Sequence, residues 1–193
     1  MQSRTVMASL KNDQYILSPP ILMSDWVTDE IKRDLEKLLF RDYFNDKAVL
    51  VPTPGAGFLQ SSGIWTPQRI ANALAARGLA SAAVPCLTRV EPVPRSAISL
   101  AQDRPKAQRH YETMAVQKGL LSDPEEIVLV DDIMTRGATT LGGASRLAEA
   151  FPKARIRAFA AMRTMTPPSE FKAITDPCVG TVRLMGVDCY RRP

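Results

Sequence analysis

The segment Ile127–Thr140, IVLVDDIMTRGATT, is where residue types and spacing first suggest chemistry. Four apolar or β-branched residues, Ile127 to Val130, run into the paired acids Asp131 and Asp132, and a small turn, Thr135-Arg136-Gly137-Ala138-Thr139, leads into a helical pattern. A buried strand that delivers two carboxylates, followed by a turn rich in backbone N–H groups at a helix start, suits a phosphorylated sugar. The turn and the helix N-terminus offer N–H donors and a positive dipole end to the phosphate. The carboxylates accept hydrogen bonds from sugar hydroxyls. Solvated strand-end acids or an ordinary helix cap would use similar residues, but neither requires this order.

The elements that must hold this segment are legible as an alternation. Residues 1–24 read as an irregular arm with Pro19-Pro20, and Asp25–Phe40 as an amphipathic helix with Trp26, Ile31, Leu35, Leu38 and Leu39 at helical spacing, capped by Ser24 or Asp25. Ala48–Val51 reads as a buried strand stopped by Pro52 and Pro54. Thr66-Pro67 opens a helix that ends near Arg77-Gly78. Ala82–Leu87 is a short candidate strand. Thr88–Lys118, with Pro92, Pro94 and Pro105 and the cations Arg89, Arg95, Arg104, Lys106, Arg109 and Lys118, is a long excursion with helix in its second half, of the length that is usually functional or disordered. Ser122-Asp123-Pro124 is a turn. The strand Ile127–Val130 follows, then a helix from about Thr139 to Phe151 with Leu141, Ala144, Leu147 and Phe151 inward, a strand Ile156–Met162, a loop Thr164–Ser169 and a last strand Val179–Leu184. Strands alternating with helices imply an α/β fold with a central parallel sheet flanked by helices. In such sheets ligands bind beyond the carboxyl ends of the strands. Pro52–Gly57, Thr88 onward, Asp131–Thr139 and Arg163–Ser169 all fall there.

Composition bounds the rest. With 193 residues, 45% hydrophobic and 23% charged, the chain fits one domain, 1–193, with a full core. There is no internal repeat, no apolar run of about 18 residues and no secretory pattern at the N-terminus, so a cytoplasmic protein without a membrane span is expected. Cys86, Cys178 and Cys189 are widely spaced and form no metal or disulfide pattern. The net charge of +5 suits an anionic small molecule and also nucleic acid, but no run of basic residues and no aromatic-basic interleaving singles out the latter.

The Ile127–Thr140 segment resembles the 5-phosphoribosyl-1-diphosphate (PRPP) signature of type I phosphoribosyltransferases: apolar strand, two acids, two variable residues, then Thr-Arg-Gly-x-Thr. Ala48–Gly57, AVLVPTPGAG, and more loosely Thr66–Gly78, TPQRIANALAARG, resemble the ComF-like branch of that family. The resemblance implies that Asp131 and Asp132 contact the ribose hydroxyls, that Thr135, Arg136, Gly137, Ala138 and Thr139 hold the 5-phosphate, and that Thr53, Pro54 and Gly55 touch the diphosphate. Residues 88–118 would form a basic lid or hood in which Arg104, Lys106 and Arg109 face the leaving diphosphate. No match to the branch's Arg-x-x-Asn-Val pattern occurs there; Arg109-His110-Tyr111-Glu112 is only suggestive.

Mg²⁺ is implied through the diphosphate of PRPP, with no dedicated protein ligands. The only histidine, His110, lies beside cations and reads more readily as a polar surface residue than as a base; Trp26 suits the core, and Trp65, in a loop, stays open between stacking and packing. The leading expectation is transfer of phosphoribose to a nitrogen acceptor, a nucleobase-like heterocycle or amine. The competing one is a PRPP-fold binding or regulatory protein associated with nucleic acid or DNA uptake. A PRPP synthase-like enzyme is disfavoured by the lack of an ATP-binding segment. A homodimer is compatible with either.

Overall fold

The structure, a computed structural model, describes residues 2–58, 63–94, 103–164 and 176–192. In chain order the elements are α1 (Gln2–Lys11), β1 (Tyr15–Ile16), β2 (Ile21–Leu22), α2 (Met23–Asp34), β3 (Ala48–Pro52), α3 (Thr66–Ala76), β4 (Ala82–Ala83), β5 (Leu87–Arg89), α4 (Ala107–Glu112), β6 (Met114–Val116), β7 (Glu126–Met134), α5 (Ala138–Ala150), β8 (Arg155–Arg163), β9 (Thr181–Met185) and β10 (Asp188–Arg192). Four strands form a parallel sheet in the order β4-β3-β7-β8. Helices cover both faces, so the chain has the α/β class that the alternation predicts.

Strand alternation builds the core. Leu50, Val128, Val130 and Phe159 face Leu10, Met23, Ile31, Phe44, Ile70 and Leu74 on one side of the sheet. Val49, Val51, Ile127 and Leu129 face Leu87, Met114, Leu147 and Phe151 on the other. This is why β3 and the Ile127–Val130 stretch of β7 are apolar without a break: a parallel strand buried on both faces has no polar side. Each fully buried Leu or Ile here contributes about 2–3 kcal/mol.

Several elements differ from the sequence reading. The irregular arm contains α1, whose Leu10 is fully buried in the core. Residues 2–11 carry no Gly or Pro; the Pro19-Pro20 pair falls later, between β1 and β2. Helix α2 starts at Met23 and gives way to a 3-10 turn at Leu35–Lys37, short of Phe40. Neither Ser24 nor Asp25 caps it. Instead the buried carboxylate of Asp13 accepts the Ser24 N–H at 2.8 Å and an Arg69 guanidinium N–H at 2.8 Å, so a residue outside the helix performs the cap.

Pro85 divides Ala82–Leu87 into β4, in the main sheet, and the start of β5. β5 pairs antiparallel with β6, a pairing inside the 88–118 excursion that its prolines concealed. The strand after Val130 does not stop: β7 carries Asp131 and Asp132 on to Met134, with Asp131 opposite Ala160 and Met134 opposite Arg163. The segment expected as a last strand at Val179–Leu184 is half of an antiparallel hairpin, β9–β10, outside the main sheet. No described helix is long and apolar enough to cross a membrane.

Candidate functional site

The carboxyl ends of β3 and β7 are stitched together by Thr53. Its N–H donates to the Val130 carbonyl at 2.8 Å, its hydroxyl donates to Asp131 Oδ1 at 2.8 Å, and its carbonyl accepts the Trp65 indole N–H at 2.8 Å. Trp65 thus anchors the loop after β3. Asp131 Oδ1 also accepts the Asp132 N–H at 3.0 Å, and Asp132 Oδ1 accepts the Ile133 N–H at 2.7 Å. Burial pushes the Asp131 carboxyl up to about 7, with the neighbouring Asp132 charge as the second cause and the Thr53 hydroxyl working against both.

Past Met134 the chain makes the short turn 135–137 and enters α5. Gly137 is the N-cap, in the left-handed region at φ 86°. A Cβ there would meet the Val182 methyls at 2.8 Å and 2.9 Å, so glycine is required by conformation and by space. The turn lines a small cavity that opens to solvent. Its lining includes Arg104, His110, Asp131, Thr135–Thr140 and, among the described residues, none of the loop after β3. Thr140 is buried, and its hydroxyl has no hydrogen-bond partner among the described residues. The first turn of this 13-residue helix thus brings together a buried hydroxyl, two further hydroxyls and the orphan N–H groups of the helix start, a set of donors that suits an anion.

The structure sorts the sequence-predicted site residues. Asp131, Thr135, Arg136, Gly137, Ala138, Thr139 and Arg104 share the cavity; Asp132 adjoins Asp131. Thr53 reaches the cavity only through Asp131, and Pro54 is buried beside it. Gly55 is exposed, and its carbonyl accepts the Arg89 Nε–H at 3.0 Å. Lys106 and Arg109 are exposed and do not line the cavity. Arg109 lies 2.9 Å from Glu91 and 3.9 Å from Glu112. Of the excursion, residues 95–102 lie outside the described residues, as do 165–169 of the loop after β8.

Three participants escaped the sequence reading. Arg89 is buried; besides Gly55 it donates to Thr113 Oγ1 at 2.6 Å and to His110 Nδ1 at 3.3 Å. His110 is buried rather than on the surface, on the inner face of α4. Ala107 and His110, three positions apart on α4, are the buried residues of that face. The third is the β9–β10 hairpin. Asp188 pairs with Arg136 at 2.9 Å, Cys189 Sγ donates to the Arg136 carbonyl at 3.2 Å, and Arg191 donates to the Met134 carbonyl at 3.0 Å. The hairpin therefore clamps the turn from outside. The Gly186 turn between two short runs signals a hairpin, but nothing local signals where it docks.

Arg104 and Arg109 make a contrasting pair. Arg104→Gln should weaken binding of an anion in the cavity about fivefold or more, whereas Arg109→Gln should change it less than twofold, as measured by calorimetry with inorganic phosphate.

No family model and no curated protein matches the chain. Among solved structures it is similar to a hypoxanthine phosphoribosyltransferase from Staphylococcus aureus, at 16% identity over 79% of this chain and 70% of that one, with a TM-score of 0.40.

Proposed function

We propose that this protein binds PRPP and transfers its phosphoribosyl group to a nitrogen acceptor, releasing diphosphate. The observation that carries this reading is the juxtaposition, at the end of β7, of the N–H- and hydroxyl-rich first turn of α5 with the Asp131-Asp132 pair. A phosphate on the α5 turn would accept from the Thr139 and Thr140 hydroxyls and from the turn's N–H groups. The ribose would then lie toward Asp131, whose Oδ1 already accepts from the Thr53 hydroxyl and the Asp132 N–H.

In the reaction the acceptor nitrogen forms a bond to C1 as the C1–O bond to diphosphate breaks; the electron pair leaves with the diphosphate, and the acceptor loses its proton to water or buffer. Positive groups near the leaving oxygens favour the step, and Arg104 and Arg136 are cations that line the cavity. His110 is not disposed to take the proton, because its Nδ1 lone pair already accepts from Arg89. Mg²⁺ carried on the diphosphate would neutralise charge on the leaving group, and Asp131 and Asp132 are the carboxylates that would reach it.

The test is direct. PRPP with Mg²⁺ should raise the melting temperature, and ribose 5-phosphate should do so less. Absence of both a thermal shift and calorimetric heat at millimolar PRPP overturns the proposal. Binding without turnover over a panel of purine, pyrimidine and amine acceptors assigns the chain to PRPP-binding regulation instead.

A further inference from the structure

The cavity has a back wall that the proposed reaction does not use. Arg89, from β5, sends one guanidinium N–H to the Gly55 carbonyl, one to Thr113 Oγ1 and one to His110 Nδ1. On the far side of the imidazole, His110 Nε2 lies 3.3 Å from Thr139 Oγ1, at the start of α5. The chain of contacts thus runs from the loop after β3, through two buried side chains, to a hydroxyl on the cavity wall.

Hydrogen-bond inventory fixes the direction of this chain. A guanidinium has donors only, so Nδ1 must accept and carries no proton. A neutral imidazole has one N–H, which is therefore on Nε2. That N–H donates to Thr139 Oγ1, and the Thr139 hydroxyl proton is turned away from the imidazole and free to donate. A histidine with the opposite tautomer would use that hydroxyl proton for itself and leave none for a ligand. The charged groups that act on His110 are Arg89, Arg136 and Asp188; burial, then the two arginines, holds its pKa down at about 4, against a smaller opposing effect of Asp188.

We infer that His110 is a positioning residue: locked as the Nε2–H tautomer by Arg89, it orients the Thr139 hydroxyl as a donor to the anion bound at the α5 turn. The identity of that anion as the phosphate of a sugar phosphate rests on the proposed function; the orientation of Thr139 does not. The contact between Gly142 and α4 supports the same assignment, because a Cβ on Gly142 would meet His110 Cβ at 2.7 Å and the Tyr111 backbone nitrogen at 2.7 Å. Helix α5 approaches α4 closely at the residue that carries the imidazole.

Because the chain has one histidine, its ring can be read without assignment ambiguity in ¹⁵N-labelled wild-type protein by long-range ¹H–¹⁵N correlation. The expected spectrum is a neutral ring with Nε2 protonated and Nδ1 bare, unchanged from pH 8 to pH 5.5. Inorganic phosphate or PRPP should shift the Nε2 resonance. Thr139→Val should remove that response and weaken phosphate binding about five- to tenfold, the effect of one hydrogen bond to a charged group. His110→Gln, which keeps an N–H near the Nε2 position, should retain more phosphate affinity than His110→Leu. In the Thr139→Val background His110→Leu should cost nothing further, since both act through one hydroxyl.

An Nδ1–H ring, a ring averaging between tautomers, or a charged ring overturns the inference, as does a His110→Leu effect that adds in full to Thr139→Val. Phosphate binding that leaves Nε2 unmoved overturns the inference alone. Phosphate binding with the predicted response but no binding of PRPP overturns the PRPP reading alone, and failure of both ligands to bind overturns both. If His110→Leu does not fold, the wild-type spectra and Thr139→Val still decide.

Discussion

Replacing Asp131 and Asp132 together by asparagine is expected to weaken Mg²⁺-PRPP binding tenfold or more, on the order of 1.5–3 kcal/mol for hydrogen bonds to charged acceptors. The same change separates binding from stability, because Asp131 is held up at about 7 by burial and by Asp132. The sign follows from linkage. With a folded pKa raised above the unfolded one, the folded protein keeps a proton that the unfolded chain releases between about pH 4 and pH 7. Its stabilising effect is complete below pH 4 and is lost as the pH rises through about 7. Asparagine mimics the protonated form at every pH. Asp131→Asn should therefore leave stability nearly unchanged at pH 4, gain on the wild type through pH 5 to 7, and hold that advantage above pH 7. Denaturant midpoints across this range measure it. Wild-type PRPP affinity in the double variant would move the ribose site elsewhere.

The second large effect is expected at Gly142. Alanine is the better helix former by about 1 kcal/mol, yet Gly142→Ala should destabilise the protein by about 1–3 kcal/mol. The added methyl meets the Tyr111 nitrogen at 2.7 Å and the Ala107 carbonyl at 3.0 Å, which are α4 backbone and cannot rotate aside. Helix α4 must move, and the Arg146 guanidinium that donates to the Tyr111 carbonyl at 2.8 Å moves with it. Gly119, where a methyl meets nothing within 4 Å, is the control: Gly119→Ala should be near neutral. Urea unfolding of the two variants compares them directly, and equal midpoints would mean that α4 and α5 pack more loosely than described.

These residues also show how far the sequence carries. The sheet and the α5 turn were legible because their signals are local: an unbroken apolar run forces a doubly covered parallel strand, and a glycine between polar turn residues and a helix start marks a cap. The Asp13 cap of α2 was not legible, since the acid and the N–H it accepts are eleven positions apart and meet only after α1 and the β1–β2 turn have folded. The Arg89-His110-Thr139 chain joins three elements in the same way, and its lone histidine among cations carries the composition of a surface. The pairings of Arg109 with Glu91 and Glu112 were equally illegible, because they depend on how β5 and α4 come together.

The β9–β10 hairpin gives the molecule a direction in time. The ribosome delivers β7 and α5 well before residues 181–192, and only then do Val182, Asp188 and Arg191 reach the turn at 134–137. A released chain truncated near residue 165 holds all four strands of the parallel sheet but leaves Arg136 without the Asp188 carboxylate and Gly137 without its cover. Such a truncated chain should resist proteolysis through the sheet while remaining cleavable at Arg136, and that site should be closed in the chain that carries residues 181–192.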